Sequence, residues 1–158
     1  MPTDARTFYT YPTKFGPITV AADGDAVTAV VLGEAPLAGR RQPAAVTTDA
    51  ANQIMEYLAG RRTVFTVPLK PDGSAFQISV WRAVANIPYG HTATARAVAE
   101  TLGSPASFRA VGAAVRRCPA PLLVPTHRIV TATGAPLGTG RAGDIARALL
   151  ALEQKGGA

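Results

Sequence analysis

Three groups of side chains in the second half of this 158-residue chain have types and spacings that could do chemistry. Thr126 and His127 are adjacent, and Glu153 follows on a later segment: a hydroxyl, a base and an acid. In residue types that set resembles an activated nucleophile, where an imidazole takes the hydroxyl proton and a carboxylate orients the imidazole. The same His and Glu also suit a structural pair, because a buried imidazole needs a partner for its ring N–H. Cys118, the single cysteine, follows Arg116-Arg117 and precedes Pro119, and neighbouring cations lower a thiol pKa. A solitary cysteine equally serves as a small buried hydrophobe. Arg109 is the third candidate, a planar and permanently charged side chain able to stack and hydrogen-bond at once, set among the small residues Ala106, Ala110, Ala113 and Ala114. One cysteine excludes an internal disulfide and a multi-cysteine metal site, and the only histidines, His91 and His127, lie in the second half. No metal or other cofactor is expected.

The elements that must position these residues read as two domains, 1–72 and 73–158. In the first, Thr7–Tyr11, Ile18–Ala22 and Ala26–Leu32 are β-rich runs separated by Phe15-Gly16-Pro17 and Asp23-Gly24-Asp25, a three-stranded antiparallel meander. Gly33–Pro43 reads as loop, Thr48–Ala59 as a helix with Ala51, Ile54, Met55 and Leu58 on one face, and Val64–Leu69 as a short strand. The first domain is therefore a small α/β unit. Lys70–Ser74 is the expected linker. Beyond it the pattern turns helical over Phe76–Ile87, Thr94–Leu102, Ser104 to about Arg116, and Ile145–Gln154. Ser104-Pro105 reads as an N-cap followed by proline at the first helical position. Leu102-Gly103-Ser104 between two short helices fits a helix-turn-helix, giving a mainly α, winged-helix-like second domain.

Charge divides unevenly between these halves. Residues 1–72 balance seven Lys/Arg against seven Asp/Glu, so the whole net charge of +6 belongs to residues 73–158. A polyanion is the partner such a half suits, since phosphate neutralisation supplies most non-specific nucleic-acid affinity. No run of about eighteen apolar residues is present to span a membrane, and the N-terminus has no apolar leader core, so a cytoplasmic location is expected.

Five ordered blocks then carry a resemblance: Phe76-Gln77 with Val80-Trp81, Ile87-Pro88-Tyr89-Gly90, Arg109-Ala110-Val111-Gly112, Pro125-x-His127-Arg128, and Leu149-Leu150 with Glu153. Together they resemble the C-terminal half of the O6-alkylguanine-DNA alkyltransferases, and Leu122–Val130 resembles that family's active-site strand. The resemblance implies that Arg109 is the finger that enters the duplex behind a flipped base. Ala106, Ala110, Ala113 and Ala114 would let their helix approach the minor groove, with Ser104 and Arg116 on the same DNA-binding element. His127 and Glu153 match a relay that reaches the family's cysteine thiol through a water, and Arg128 is expected to support the site or the domain interface rather than do chemistry. At the cysteine position, however, stands Thr126.

Other positions depart from the family as well. Ala95 and Thr139 fall where tyrosines are usual, Cys118 where the hinge has asparagine, and Phe108 where alanine precedes the finger. Ala95, Cys118, Thr126 and Thr139 are thus expected to line a remodelled lesion pocket. A threonine hydroxyl is far less acidic than a thiol, and general-base help is worth roughly 10²–10⁴-fold. On that ground no alkyl transfer to Thr126 is expected. With no thiol beside them, His127 and Glu153 are expected to be structural. The resulting expectation is a non-catalytic, alkyltransferase-like protein. It would bind double-stranded DNA as a monomer, recognise O6-alkylguanine by base flipping and pass the lesion to nucleotide excision repair proteins. Two alternatives stand beside it: an enzyme reusing the pocket through Thr126/His127/Glu153 or Cys118, and a plain DNA-binding regulatory module.

Overall fold

A computed structural model describes residues 5–156. The chain divides into two compact units, one comprising residues 1–72 with Pro119–Leu123, the other Gly73–Cys118 with Val124–Ala158. The expected division after Asp72 left out the excursion of Pro119–Leu123 into the first unit. Within that unit Val30 donates its N–H to the Pro119 carbonyl at 2.8 Å.

In the first unit β1 (Arg6–Tyr11), β2 (Ile18–Asp23) and β3 (Ala26–Leu32) form the antiparallel meander, with Tyr11 opposite Ile18 and a bulge at Ala21/Ala22. A fourth strand, β4 (Arg40–Arg41), pairs parallel with β1 and gives the order β3-β2-β1-β4. This corrects the three-stranded expectation: a two-residue strand inside a Gly- and Pro-rich stretch has no period to betray it. The expected strand Val64–Leu69 is reduced to one bridge, Leu69 with Val27. There Val27 N–H reaches the Pro68 carbonyl and Lys70 N–H the Val27 carbonyl, both at 2.8 Å. These contacts and the Pro119 carbonyl occupy backbone groups along β3, which would otherwise be an open edge. Helix α1 (Ala45–Leu58) packs on the sheet through buried Ala50, Ala51, Ile54, Tyr57 and Leu58.

In the second unit α2 (Ala75–Ala85) begins at a capping box, Ser74 Oγ accepting from Gln77 N–H at 3.1 Å and Gln77 Oε1 from Ser74 N–H at 2.9 Å. Buried Trp81 ties α2 to α4 (Phe108–Arg116), its indole N–H donating to the Ala114 carbonyl at 2.8 Å. Between them lie β5 (Ala93–Thr94) and α3 (Ala95–Thr101), capped by Thr94 Oγ1 on Ala97 N–H. Gly103, at φ +78°, ends α3 in the left-handed conformation that glycine adopts without strain.

Three expectations change here. Residues Pro105–Ser107 are a 3₁₀ turn, so α4 starts at Phe108, and the Ser104 hydroxyl meets Ser107 Oγ at 2.6 Å instead of capping a helix. The stretch Leu122–Val130 is not one strand. Leu122 takes φ +79°, Thr126–Arg128 form a 3₁₀ turn, and only β6 (Ile129–Val130) is extended, parallel to β5. The last helix, α5 (Gly140–Gly156), begins a full turn earlier than its apolar periodicity suggests. The chain thus has the two-domain architecture of a small sheet domain followed by a helical domain.

Candidate functional site

The second unit buries one ionic cluster, built from two segments far apart in sequence. α5 carries Glu153, fully buried, and the 3₁₀ turn before β6 carries His127 and Arg128, both buried. His127 Nε2 lies 2.6 Å from Glu153 Oε2. Arg128 donates from Nε to Oε1 at 2.9 Å and from Nη2 to Oε2 at 3.0 Å, a bidentate fork on the same carboxylate. Gly90 adds a backbone N–H to Oε1 at 3.0 Å, and Arg128 Nη1 donates to the Ile87 carbonyl at 2.8 Å. The Ile87–Gly90 bend is therefore a wall of the cluster, which also explains its position between Arg128 and α5.

Electrostatics follow from that geometry. A buried carboxylate is tolerable only when paired and hydrogen-bonded, and the Arg128 guanidinium supplies both. Because Glu153 accepts, a neutral His127 carries its hydrogen on Nε2, leaving the lone pair on the buried Nδ1. That nitrogen is the one able to take a proton. Tyr89 stands beside the cluster with its ring 5.7 Å from the Arg128 guanidinium carbon. Burial, and then the Glu153 charge, push its phenol above the ordinary 10.0, with Arg128 opposing.

Thr126 opens the same 3₁₀ turn, half-buried, its N–H bonded to the Val124 carbonyl at 2.7 Å. It precedes His127 directly, so one short turn carries both the hydroxyl and the imidazole. The other expected pocket residues lie on separate segments. Ala95 is the first residue of α3, Cys118 follows α4 and is half-buried, and Thr139 is exposed just before α5. β5 pairs parallel with β6, Ala93 opposite Ile129 and Thr94 opposite Val130, so α3 and Ala95 begin directly after the strand that pairs with the segment following the Thr126 turn.

α4 shows one exposed face, Arg109, Ala113 and Arg116, with Ala110 beside it and Val111, Gly112 and Val115 turned inward. Ala114 departs from expectation: it is buried, and its carbonyl is committed to Trp81, so it is not part of the exposed face. Ser104 is exposed and tied to Ser107. Two features escaped the sequence reading. One is Arg128 as the main ionic partner of Glu153. The other is Arg96 on α3, whose guanidinium carbon lies 4.2 Å from the Phe108 ring centre. A Phe at the start of α4 with an arginine twelve positions earlier carries no periodic signal. Among the described residues, no group of three or more His, Cys, Asp or Glu gathers to hold a metal ion.

Models of the two domains of 6-O-methylguanine DNA methyltransferase match the chain, the ribonuclease-like domain over residues 7–71 and the DNA binding domain over residues 75–155. A methylated-DNA–protein-cysteine methyltransferase of Mycobacterium tuberculosis is 36% identical over 152 residues, covering 93% of this chain and 92% of that protein. One from Methanosarcina acetivorans is 43% identical over 105 residues, covering 66% of this chain and 67% of that protein. The crystal structure of the M. tuberculosis O6-methylguanine methyltransferase matches with TM-score 0.87 at 34% identity, covering 95% of this chain and 93% of that one. A structure of M. tuberculosis OGT in complex with DNA matches with TM-score 0.86, also at 34% identity, covering 95% and 94%. The expectation of a non-catalytic lesion binder is overturned by these likenesses, because proteins that match through both domains bear the name of methyltransferases.

Proposed function

Because this chain belongs to the 6-O-methylguanine DNA methyltransferase family, we propose that it repairs O6-alkylated guanine in duplex DNA by taking the alkyl group onto its own Thr126. The observation that carries the reading is the buried array in which His127 and Arg128, on the turn that begins with Thr126, meet Glu153 of α5. Thr126 stands at the position where the family has its cysteine, so this is a cysteine-lacking member at that site. The exposed face Arg109/Ala113/Arg116 of α4 is the DNA-binding element, the second helix of a helix-turn-helix with α3. Arg109 fills the stack behind the flipped base. The protein works as a cytoplasmic monomer.

In the reacting step Thr126 Oγ attacks the alkyl carbon as its bond to guanine O6 breaks. His127 Nδ1 receives the hydroxyl proton, and Glu153, held by Arg128, steadies the imidazolium that forms. Guanine leaves with its O6 charge neutralised by a proton from solvent, and Thr126 is left as an ether. The reaction is single-use and slow, since a hydroxyl lacks the few per cent of ready anion that a thiol has. Transfer to Thr126 thus replaces the expectation of none, and His127 with Glu153 takes the base role in place of a structural one. Arg128 shapes this step without touching substrate, because it fixes the carboxylate that fixes the imidazole.

Mass spectrometry after prolonged incubation with excess duplex carrying O6-methylguanine tests the assignment. One added methyl located on Thr126, absent in Thr126→Val, is the expected result. An unmodified protein, or a methyl on Cys118 instead, overturns it.

A further inference from the structure

The start of α4 carries a feature that the DNA-binding face alone does not explain. Phe108 is half-buried, and its ring is flanked by two arginines: Arg96 of α3 at 4.2 Å and Arg109 at 5.8 Å from guanidinium carbon to ring centre. Both arginines are exposed. Among the described residues, no carboxylate lies within ion-pair distance of either, although Glu100 is only one turn from Arg96 on α3. Two like charges have thus been gathered on one ring and left without a counter-ion. Cation–π attraction to the ring face offsets part of their repulsion, and a polyanion would remove the rest.

We propose that Arg96 and Phe108 are positioning residues for DNA binding, the ring holding the Arg96 guanidinium against a backbone phosphate and restricting Arg109 to the directions that enter the duplex. The inference rests on the reading of α4 as the DNA-binding element. An arginine loses much side-chain freedom on binding, and a ring that confines it beforehand lowers that cost. Lysine cannot substitute, because an ammonium lacks the planar face that lies on the ring and the fork that grips a phosphate. The ring also ties α3 to α4, so the two arginines are held at a set separation across the turn Leu102–Ser107.

A double-mutant cycle measures this. Affinity for an O6-methylguanine duplex is measured at several salt concentrations for the intact protein, Arg96→Ala, Arg96→Lys, Phe108→Leu, Phe108→Tyr and Arg96→Ala/Phe108→Leu. Leucine keeps apolar volume at the half-buried site, so the variant folds, and melting curves check that it does. Arg96→Ala and Phe108→Leu should each weaken binding by about twofold to fivefold, the scale of an exposed cation–π contact. The double variant should be no weaker than the worse single one, Arg96→Lys should resemble Phe108→Leu, and Phe108→Tyr should restore binding. The slope of log K against log salt should fall by about 0.9 in Arg96→Ala, one phosphate contact. Strictly additive effects, an unchanged salt slope, or no effect on a protein that binds DNA overturns the positioning role alone. Failure of the intact protein to bind any duplex overturns both this inference and the reading beneath it.

Discussion

Replacing Glu153 with glutamine should unfold the second unit's ionic cluster while changing almost no volume. The carboxylate takes the Arg128 fork at 2.9 and 3.0 Å, the His127 ring at 2.6 Å and the Gly90 N–H at 3.0 Å. Glutamine keeps one acceptor oxygen and turns an NH₂ toward donors, so at least one Arg128 or His127 contact becomes donor against donor. More costly, the Arg128 guanidinium stays buried without a counter-charge. Breaking a buried pair from one side costs about 3–5 kcal/mol. For a chain of this length 1 kcal/mol moves the melting midpoint by about 2–4 °C, so a fall of roughly 6–20 °C is expected. Thermal and urea melts followed by circular dichroism read it. Adding Arg128→Met to Glu153→Gln should recover part of the loss, because the stranded charge is gone and an apolar side chain fills its place. A loss below about 1 kcal/mol, the worth of an exposed pair, would refute the view that this cluster is dry and mutually dependent.

Thr126→Cys should raise the rate of alkyl transfer from O6-methylguanine DNA by on the order of 10³-fold, about 4 kcal/mol of barrier, since a thiol already ionised in part attacks where a hydroxyl must first give up its proton. Single-turnover assays read this, and no acceleration would mean that Thr126 does not face the alkyl group. Gly73→Ala would place a Cβ 2.5 Å from the Trp81 ring, so a loss of about 1–3 kcal/mol and a changed tryptophan fluorescence are expected. An alanine variant as stable as the parent would show that Trp81 can shift freely. Tyr89 should titrate above 10.0 by ultraviolet absorbance. A phenol whose pKa is higher folded than unfolded loses its stabilising contribution as pH rises past the unfolded value, so melting temperature should drop more steeply above about pH 10 than in Tyr89→Phe. Equal slopes would remove Tyr89 from the cluster's influence.

Local order was written plainly in the chain. β1, β2 and β3 follow from β-rich runs between glycine turns, α2 from the helical pattern over Phe76–Ile87, and α4 from the helical stretch up to Arg116 that carries Arg109 among small residues. The ordered blocks from Phe76 to Glu153 were enough to identify the family, and the identity of residue 126 is a matter of sequence alone. These are properties of neighbours within one or two turns, where backbone hydrogen bonding and side-chain periodicity act directly. What tertiary packing decided is of another kind. β4 exists only because β1 offers it an edge, and Leu122–Val130 became a turn and two strand residues once β5 took Ile129 and Val130. Arg128 and Glu153, twenty-five positions apart, meet because α5 and the 3₁₀ turn pack together, and Arg96 finds Phe108 because α3 folds onto α4. Such pairs leave no period in the sequence. They are chosen by the free energy of burying charges and rings in one shared space, which does not exist until the distant segments have closed around it.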